Sequence, residues 1–226
     1  MSFTWTFSKI ENFETCAKKY YEYMVAKSVK DTDTENLDWG NTVHDAFRDT
    51  LKGKKELPDF LKSYQPWIDR VHGKPGDLYV EQKYGLTSDL SPCPYLAPVV
   101  WYRGIADVVR VWDDVAYAGD WKTGKRKEGS IQLALMALCI FQHFPKVKVV
   151  CAEFIWLQEA FGDPKAITKK TYRREEMVVL MAEIMPRVQK LEWAHKTMTF
   201  PPNPSGLCMK YCEVVSCPFY RVGGKR

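Results

Sequence analysis

No stretch of this sequence is apolar for long enough to cross a membrane. The longest uncharged run, from Ser130 to Pro145, is interrupted by Gln132, Gln142 and His143, whereas a membrane-spanning helix needs about 20 consecutive apolar residues. No apolar segment follows a basic start at the N-terminus, so a signal peptide is not expected. We therefore expect the uncharged run to be a buried helix and the protein to act in the cytoplasm.

The sequence also lacks internal repeats, low-complexity segments and the nucleotide-binding pattern G-x4-G-K-S/T. Any ATP-driven motion would therefore have to come from a partner protein. The 226 residues suffice for one well-filled core, so residues 1–226 are expected to form a single domain. The net charge of +5 is a moderate basic excess, which fits a polyanionic partner.

Hydrophobic periodicity predicts a mixed α/β fold. The predicted elements are a helix at 8–25, started by an S-x-x-E capping box, a helix ending near 53, strands at 77–86, 99–112 and 115–121, a helix at 130–144, a strand at 147–157 and a helix at about 173–195. In the first strand, the even-numbered residues from Leu78 to Tyr84 are expected to share one face. The result is an αβββαβ core over about 36–158, with the helix at 8–25 and the segment 173–226 packed on it.

The most informative stretch runs from Trp101 to Gln132, across two predicted strands and the start of a helix. It carries Asp107, Asp120 and Lys122. Because side chains two residues apart on a strand share a face, Asp120 and Lys122 should point into one site. A pair of carboxylates suits a hard cation such as Mg²⁺, and a nearby ammonium can orient water or offset charge on a phosphate. This combination suggests phosphodiester hydrolysis.

The segments GIAD and DWKTGK and the glutamine after them resemble the signature of the PD-(D/E)XK nuclease superfamily, and in particular of its RecB-like branch. The matching residues are Gly104, Asp107, Asp120, Lys122, Thr123, Gly124 and Gln132. Each piece is common alone, but their order and spacing together are restrictive. The resemblance implies a restriction-endonuclease-like fold and a Mg²⁺- or Mn²⁺-dependent deoxyribonuclease. It further implies an exonuclease that acts in DNA replication, recombination or repair.

The resemblance also assigns roles to the residues of this stretch. Asp107 and Asp120 would bind the metal together with the backbone carbonyl of Trp121. Lys122 would position water or offset charge in the transition state, and Gln132 would steady the site.

Further candidate residues lie outside the strand pair. The pattern Gly40-x-x-x-His44 resembles a family motif that supplies a metal-ligating imidazole, although a lone helical histidine is otherwise usually a bystander. Glu81 fits two interpretations, a metal ligand or a solvated strand residue paired with a lysine. The basic residues that follow the second strand are expected to contact DNA phosphates: Lys125, Arg126 and Lys127.

Seven cysteines in a chain without an export signal favour reduced thiols or metal ligation over disulfides. Three of them, Cys208, Cys212 and Cys217, are close together near the C-terminus. With Cys16 as a fourth ligand, they resemble the iron–sulfur site of AddB-type nucleases and of CRISPR-associated RecB-type exonucleases. A [4Fe–4S] cluster is the first interpretation, plain thiols the second and zinc the third.

Three other functions are consistent with the sequence. One is a structure-specific endonuclease, and another is a DNA-binding or assembly module on the same fold whose chemistry has been lost. The third is a nuclease subunit that needs a helicase, a single-strand annealing protein or a single-strand-binding protein. The motifs also resemble small nucleases of tailed phages, which would place the protein in the cytoplasm of a bacterium or of a phage-infected host.

Overall fold

The computed structural model describes residues 3–30, 34–126, 129 and 131–222. Within them, two compact units are distinguished. The sheet unit comprises residues 3–4 and 35–181, and the helical unit comprises residues 5–30, 34 and 182–222.

The α-helices and β-strands of the described residues, in chain order, are α1 (Phe7–Thr15), α2 (Ala17–Tyr20), α3 (Thr34–Leu51), α4 (Gln65–His72), β1 (Asp77–Leu86), β2 (Pro92–Cys93), β3 (Tyr102–Trp112), β4 (Val115–Lys122), α5 (Ile131–His143), β5 (Val149–Trp156), β6 (Ile167–Arg173), α6 (Met177–Thr197) and α7 (Leu207–Lys210). A π-helix (Tyr21–Val25) follows α2, and short 3-10 turns lie at Asp59–Tyr64, Pro164–Ala166 and Arg174–Glu176. None of the helices described here is long and apolar enough to cross a membrane.

The sheet unit is built on a mixed sheet with the strand order β2-β1-β3-β4-β5-β6. β4 and β5 are parallel, and the other neighbours are antiparallel. A parallel pair needs a crossover connection, which α5 provides. The predicted mixed α/β class is confirmed. β6 was not among the predicted strands, because its sequence, ITKKTYR, has little apolar alternation. Lysines are common on edge strands, where they discourage pairing with another sheet.

Helices α3 and α4 pack on the sheet through one core. Its members come from both helices and from three strands: Val43, Phe47, Leu51, Trp67, Ile68, Val71, Val108, Tyr117, Trp121 and Ile155. A buried ion pair adds to this packing, since Arg70 of α4 contacts both carboxylate oxygens of Glu153 at 3.0 and 2.7 Å. These contacts fix α3 relative to the strands, and α3 carries part of the candidate site.

The prediction that the even-numbered residues of β1 share one face is wrong beyond Glu81. Leu78 and Val80 pack against the core under α3 and α4, whereas the ring of Tyr84 packs on His143 of α5 at 4.9 Å. Glu81 has a φ of 55°, in the left-handed region. Strand alternation holds only while the backbone stays extended, so this residue exchanges the two faces.

The helical unit contains the N-terminal helix, and the continuous helix expected at 8–25 is wrong. Cys16 is extended, with φ −165° and ψ 110°, and separates α1 from α2. The side-chain amide of Asn203 donates to the carbonyl of Thr15 at 3.1 Å, which satisfies an acceptor released at the break. The expected capping box at Ser8 is also wrong, because Thr6 is the N-cap and accepts from the backbone N–H of Lys9 at 3.2 Å.

Candidate active site

The candidate site begins where the β3–β4 ladder ends. The last paired residues on this side are Val108 and Gly119. Beyond them, a carboxylate oxygen of Asp107 accepts a hydrogen bond from the backbone N–H of Trp121 at 2.8 Å. The side chain of Asp107 thus takes the place of a strand carbonyl, and the separation of the strands leaves room for its second oxygen to face other groups.

Asp120, Lys122 and Gln132 form a compact triangle on the other side of that gap. The amide of Gln132 donates to Oδ1 of Asp120 at 3.1 Å, and the ammonium of Lys122 donates to the amide oxygen of Gln132 at 3.1 Å. Nζ of Lys122 also lies 2.6 Å from Oδ2 of Asp120. This close ion pair offsets part of the negative charge that Asp120 carries in its buried position.

His44, Glu81 and Asp107 form a second group. One ligand atom of each lies within 4.8 Å of the others. Nδ1 of His44 is 3.3 Å from Oδ1 of Asp107. The left-handed backbone of Glu81 lies opposite Asp107, between the paired residues Val80 and Gln82 of β1. An imidazole and carboxylates are suitable ligands for a divalent transition metal, and the carboxylates alone suit Mg²⁺.

The two groups interact electrostatically. Burial, and then the negative charge of Asp107, raise the pKa of Asp120 to about 6. The same two causes raise the pKa of Glu81. Burial lowers the pKa of His44, but its hydrogen bond to Asp107 and the charge of that carboxylate outweigh burial and raise it overall. The site therefore concentrates more negative charge than its burial favours, and a cation would relieve this.

Other residues hold the end of β4 in place and were not identified from the sequence. Nζ of Lys122 lies 4.7 Å from the centroid of the Phe154 ring, a cation–π contact. The side chain of Gln158 donates to the carbonyl of Thr123 at 3.0 Å. A methyl group on Gly40 would come within 3.3 Å of the Thr123 hydroxyl oxygen. Gly40 was already part of a motif recognised in the sequence. Phe154 was not, because its position beside Lys122 depends on the register of the parallel β4–β5 pair, which the local sequence does not reveal.

The remaining predicted residues lie at different places. Trp121 is buried, and its ring packs on Phe47 at 5.0 Å. Lys125 and Arg126 are exposed just after β4, and Lys127 lies outside the described residues. Within the helical unit, one small cavity is lined by all four cysteines of the predicted cluster: Cys16, Cys208, Cys212 and Cys217.

A mixed sheet that brings carboxylates, a lysine and a glutamine together at the end of two neighbouring strands defines a class of metal-using nucleases. The chain belongs to the PD-(D/E)XK nuclease superfamily, whose model matches residues 4–218. By this membership it is a nuclease, with DNA as the substrate and phosphodiester hydrolysis as the reaction.

Two solved structures are distantly similar. One is a protein named SSO0001, with 15% identity, a TM-score of 0.43, and 97% of this chain and 88% of that chain covered. The other is a Eubacterium rectale protein named "Putative exonuclease", with 14% identity, a TM-score of 0.49, and 99% of this chain and 90% of that chain covered. No curated protein matches the sequence.

Proposed function

We propose that this protein is a Mg²⁺- or Mn²⁺-dependent exonuclease that degrades DNA from an end. The observation that supports the metal-dependent chemistry best is the convergence of His44, Glu81 and Asp107, whose ligand atoms lie within 4.8 Å of one another. Asp120 is a second buried carboxylate beside them, and its pKa is raised by burial and by the charge of Asp107. Exonuclease action in DNA replication, recombination or repair is supported by the RecB-like order of the motifs at Gly40–His44, Gly104–Asp107 and Asp120–Gly124.

The residues of the site fit a divalent cation. Asp107 and Asp120 would hold it, with His44, Glu81 and the carbonyl of Trp121 as further ligands. When bound, such a cation polarises the phosphate and lowers the pKa of a bound water. Lys122 would orient the attacking water or offset the charge that develops on the phosphate, because its ammonium is held by Gln132 at 3.1 Å.

Two alanine variants test the catalytic assignment. Asp120→Ala and Lys122→Ala should each leave a folded protein whose hydrolysis of DNA falls by orders of magnitude in Mg²⁺ or Mn²⁺. Gln65→Ala is a suitable control, because the side-chain amide of Gln65 donates an exposed hydrogen bond to Asp69 within α4. Near-normal cleavage by either active-site variant would rule out the assignment.

The mode of action needs a different substrate set. End-labelled linear duplex, linear single-stranded DNA and closed circular single-stranded DNA should be compared in the same metal. Exonuclease action predicts that linear substrates are shortened from an end while circles survive. Cleavage of the circular DNA would instead show that the protein is an endonuclease. DNA binding without cleavage would indicate a DNA-binding module that has lost its catalytic activity, or a nuclease subunit that needs a partner protein.

We also propose that the four cysteines that line the cavity of the helical unit hold a [4Fe–4S] cluster. All four side chains line one pocket, and a [4Fe–4S] cluster is held by four thiolates. The N–H groups of Asn203 and Ser205 point at the sulfurs of Cys16 and Cys208, each at 3.4 Å, as hydrogen bonds to cluster ligands do.

The metal content tests this second proposal. Protein purified without oxygen should show broad visible absorbance with iron and sulfide in equal amounts, and Cys212→Ser should lose both. The buried Cys139 of α5 is the matched control, because Cys139→Ser should keep the cluster. A colourless protein with stoichiometric zinc would contradict the proposal.

A further inference from the structure

Two large aromatic side chains are exposed together at one end of α3. Trp39 is 43% exposed and Phe60, in the 3-10 turn before α4, is 63% exposed. Their ring centroids are 6.3 Å apart and the ring planes are inclined by 47°. Single exposed apolar residues are ordinary on protein surfaces, but two adjoining aromatic rings form a small platform that can contact another flat group.

The sequence of α3 explains why Trp39 is exposed. It lies one helical turn before Val43 and two turns before Phe47, both of which are fully buried in the core. Trp39 therefore extends the apolar stripe of α3 past the point where the sheet covers it. Phe60 is placed differently, since it faces outward while its neighbour Leu61 is buried.

Helix α3 connects the platform to the candidate active site. Gly40 follows Trp39, and a methyl group on Gly40 would lie 3.3 Å from the hydroxyl oxygen of Thr123, the residue after Lys122. His44 is one turn beyond Gly40 along α3, about 6 Å in axial rise. The part of α3 that carries Trp39 therefore reaches the end of β4.

Basic residues follow directly after β4. Lys125 and Arg126 are exposed there and attract phosphates. A single strand whose backbone contacts these two residues leaves its bases available to stack on aromatic rings.

We propose that Trp39 and Phe60 stack against unpaired bases, and that the protein therefore takes single-stranded DNA into its site. This inference rests on the proposed deoxyribonuclease function. Stacking on aromatic side chains requires a free base face, which a base inside an intact duplex does not offer. The platform thus selects single strands or frayed ends, whereas the basic residues alone would bind single and double strands alike.

Binding without metal separates this proposal from catalysis. We would measure the affinity of the full-length protein in EDTA for three labelled oligonucleotides: a single strand, the same strand with several abasic positions, and a blunt duplex. The variants are Trp39→Ala/Phe60→Ala, Trp39→Phe, which keeps a ring, and Trp39→Leu, which keeps apolar bulk. Leu96→Ala is the control, because Leu96 is 78% exposed but has no ring.

Stacking is worth about 1–3 kcal/mol per base, so the double variant should bind the single strand about 10- to 100-fold more weakly. Its affinity for the duplex should change less than about twofold, in line with purely ionic contacts. The abasic strand should bind wild-type protein more weakly than the intact strand does, and the double variant should no longer distinguish the two strands. Trp39→Phe should stay closer to wild type than Trp39→Leu.

Several results would overturn the proposal: unchanged affinity in the double variant, an equal loss for duplex and single strand, or equal behaviour of Trp39→Phe and Trp39→Leu. A changed molecular mass with unchanged DNA affinity would instead assign the platform to contact between copies of the chain. If wild-type protein cuts no DNA but the double variant selectively loses single-strand affinity, the nuclease proposal fails and the platform is retained. If DNA is cut but the losses are not selective, only the platform fails.

Discussion

The clearest prediction concerns Asp120, whose charge the fold disfavours in the absence of a cation. Asp120→Asn keeps the shape of the side chain and removes the charge. Burial and Asp107 raise the carboxyl pKa from its ordinary 3.8 to about 6, and each pKa unit corresponds to about 1.4 kcal/mol. The ionised group therefore costs up to about 3 kcal/mol of folding stability, and we expect a gain of roughly 1–3 kcal/mol in the variant near pH 7.

The stability difference between Asp120→Asn and the wild type should depend on pH. Between about pH 4 and pH 6 the folded protein keeps a proton on Asp120 that the unfolded chain has released. The folded state then binds more protons, so the stability from this group falls as pH rises through that window. The advantage of Asp120→Asn should be near zero below about pH 4, grow up to about pH 6 and remain constant above it.

Urea unfolding in EDTA at several pH values would measure this difference. Asp77→Asn, at the exposed start of β1, is the matched control for removing one carboxylate. Adding Mg²⁺ or Mn²⁺ should stabilise the wild type more than Asp120→Asn, which should also be inactive. Parallel stability curves for the wild type and Asp120→Asn across the whole pH range would refute the reasoning.

Further variants probe the surroundings of the site. Gly40→Ala should lower kcat several-fold because its methyl group crowds Thr123, and Thr123→Ala in the same chain should restore part of it; additive losses would contradict this. Phe154→Leu should lower kcat about fivefold with little change in KM, since a partly desolvated cation–π contact with Lys122 is worth about 1 kcal/mol. An unchanged kcat, or an equal loss when the ring is replaced by leucine and by tyrosine, would exclude that role. Glu81→Gly should be more stable than Glu81→Gln in EDTA by about 1 kcal/mol, because glycine adopts a positive φ without strain; equal urea midpoints would contradict this.

The sequence predicted the central strands and the helix after them because their signals are local. Alternation identified β1, β3 and β4, and the uncharged run identified α5. Asp107, Asp120 and Lys122 were recognised by their order and spacing alone. The structure places the three residues around one gap in the sheet, and Asp120 and Lys122 lie side by side there, as their spacing on one strand predicts.

What the sequence did not predict depends on contacts between distant segments. Phe154 reaches Lys122 only through the register of two parallel strands joined by a helix. The extended backbone of Cys16 is supported by Asn203, far along the chain, so helical periodicity continued across the break. β6 was not predicted because it is an edge strand. Its sequence is rich in lysine and lacks the alternation of apolar and polar residues that identifies a strand.

Two irregularities of the sheet coincide at one place, and this argues that they serve the site. The β3–β4 ladder stops at Val108 and Gly119, and the β1 backbone turns left-handed at Glu81, opposite Asp107. Each irregularity by itself is destabilising. A non-glycine residue with a left-handed backbone is strained, and a missing strand pair leaves backbone N–H and C=O groups that need other hydrogen-bond partners. Together they release the carboxylate of Asp107 from the regular pleat and bring that of Glu81 beside it. A sheet selected only for stability would close this gap, so the missing strand pair supports the proposal that a cation and a phosphate are bound there.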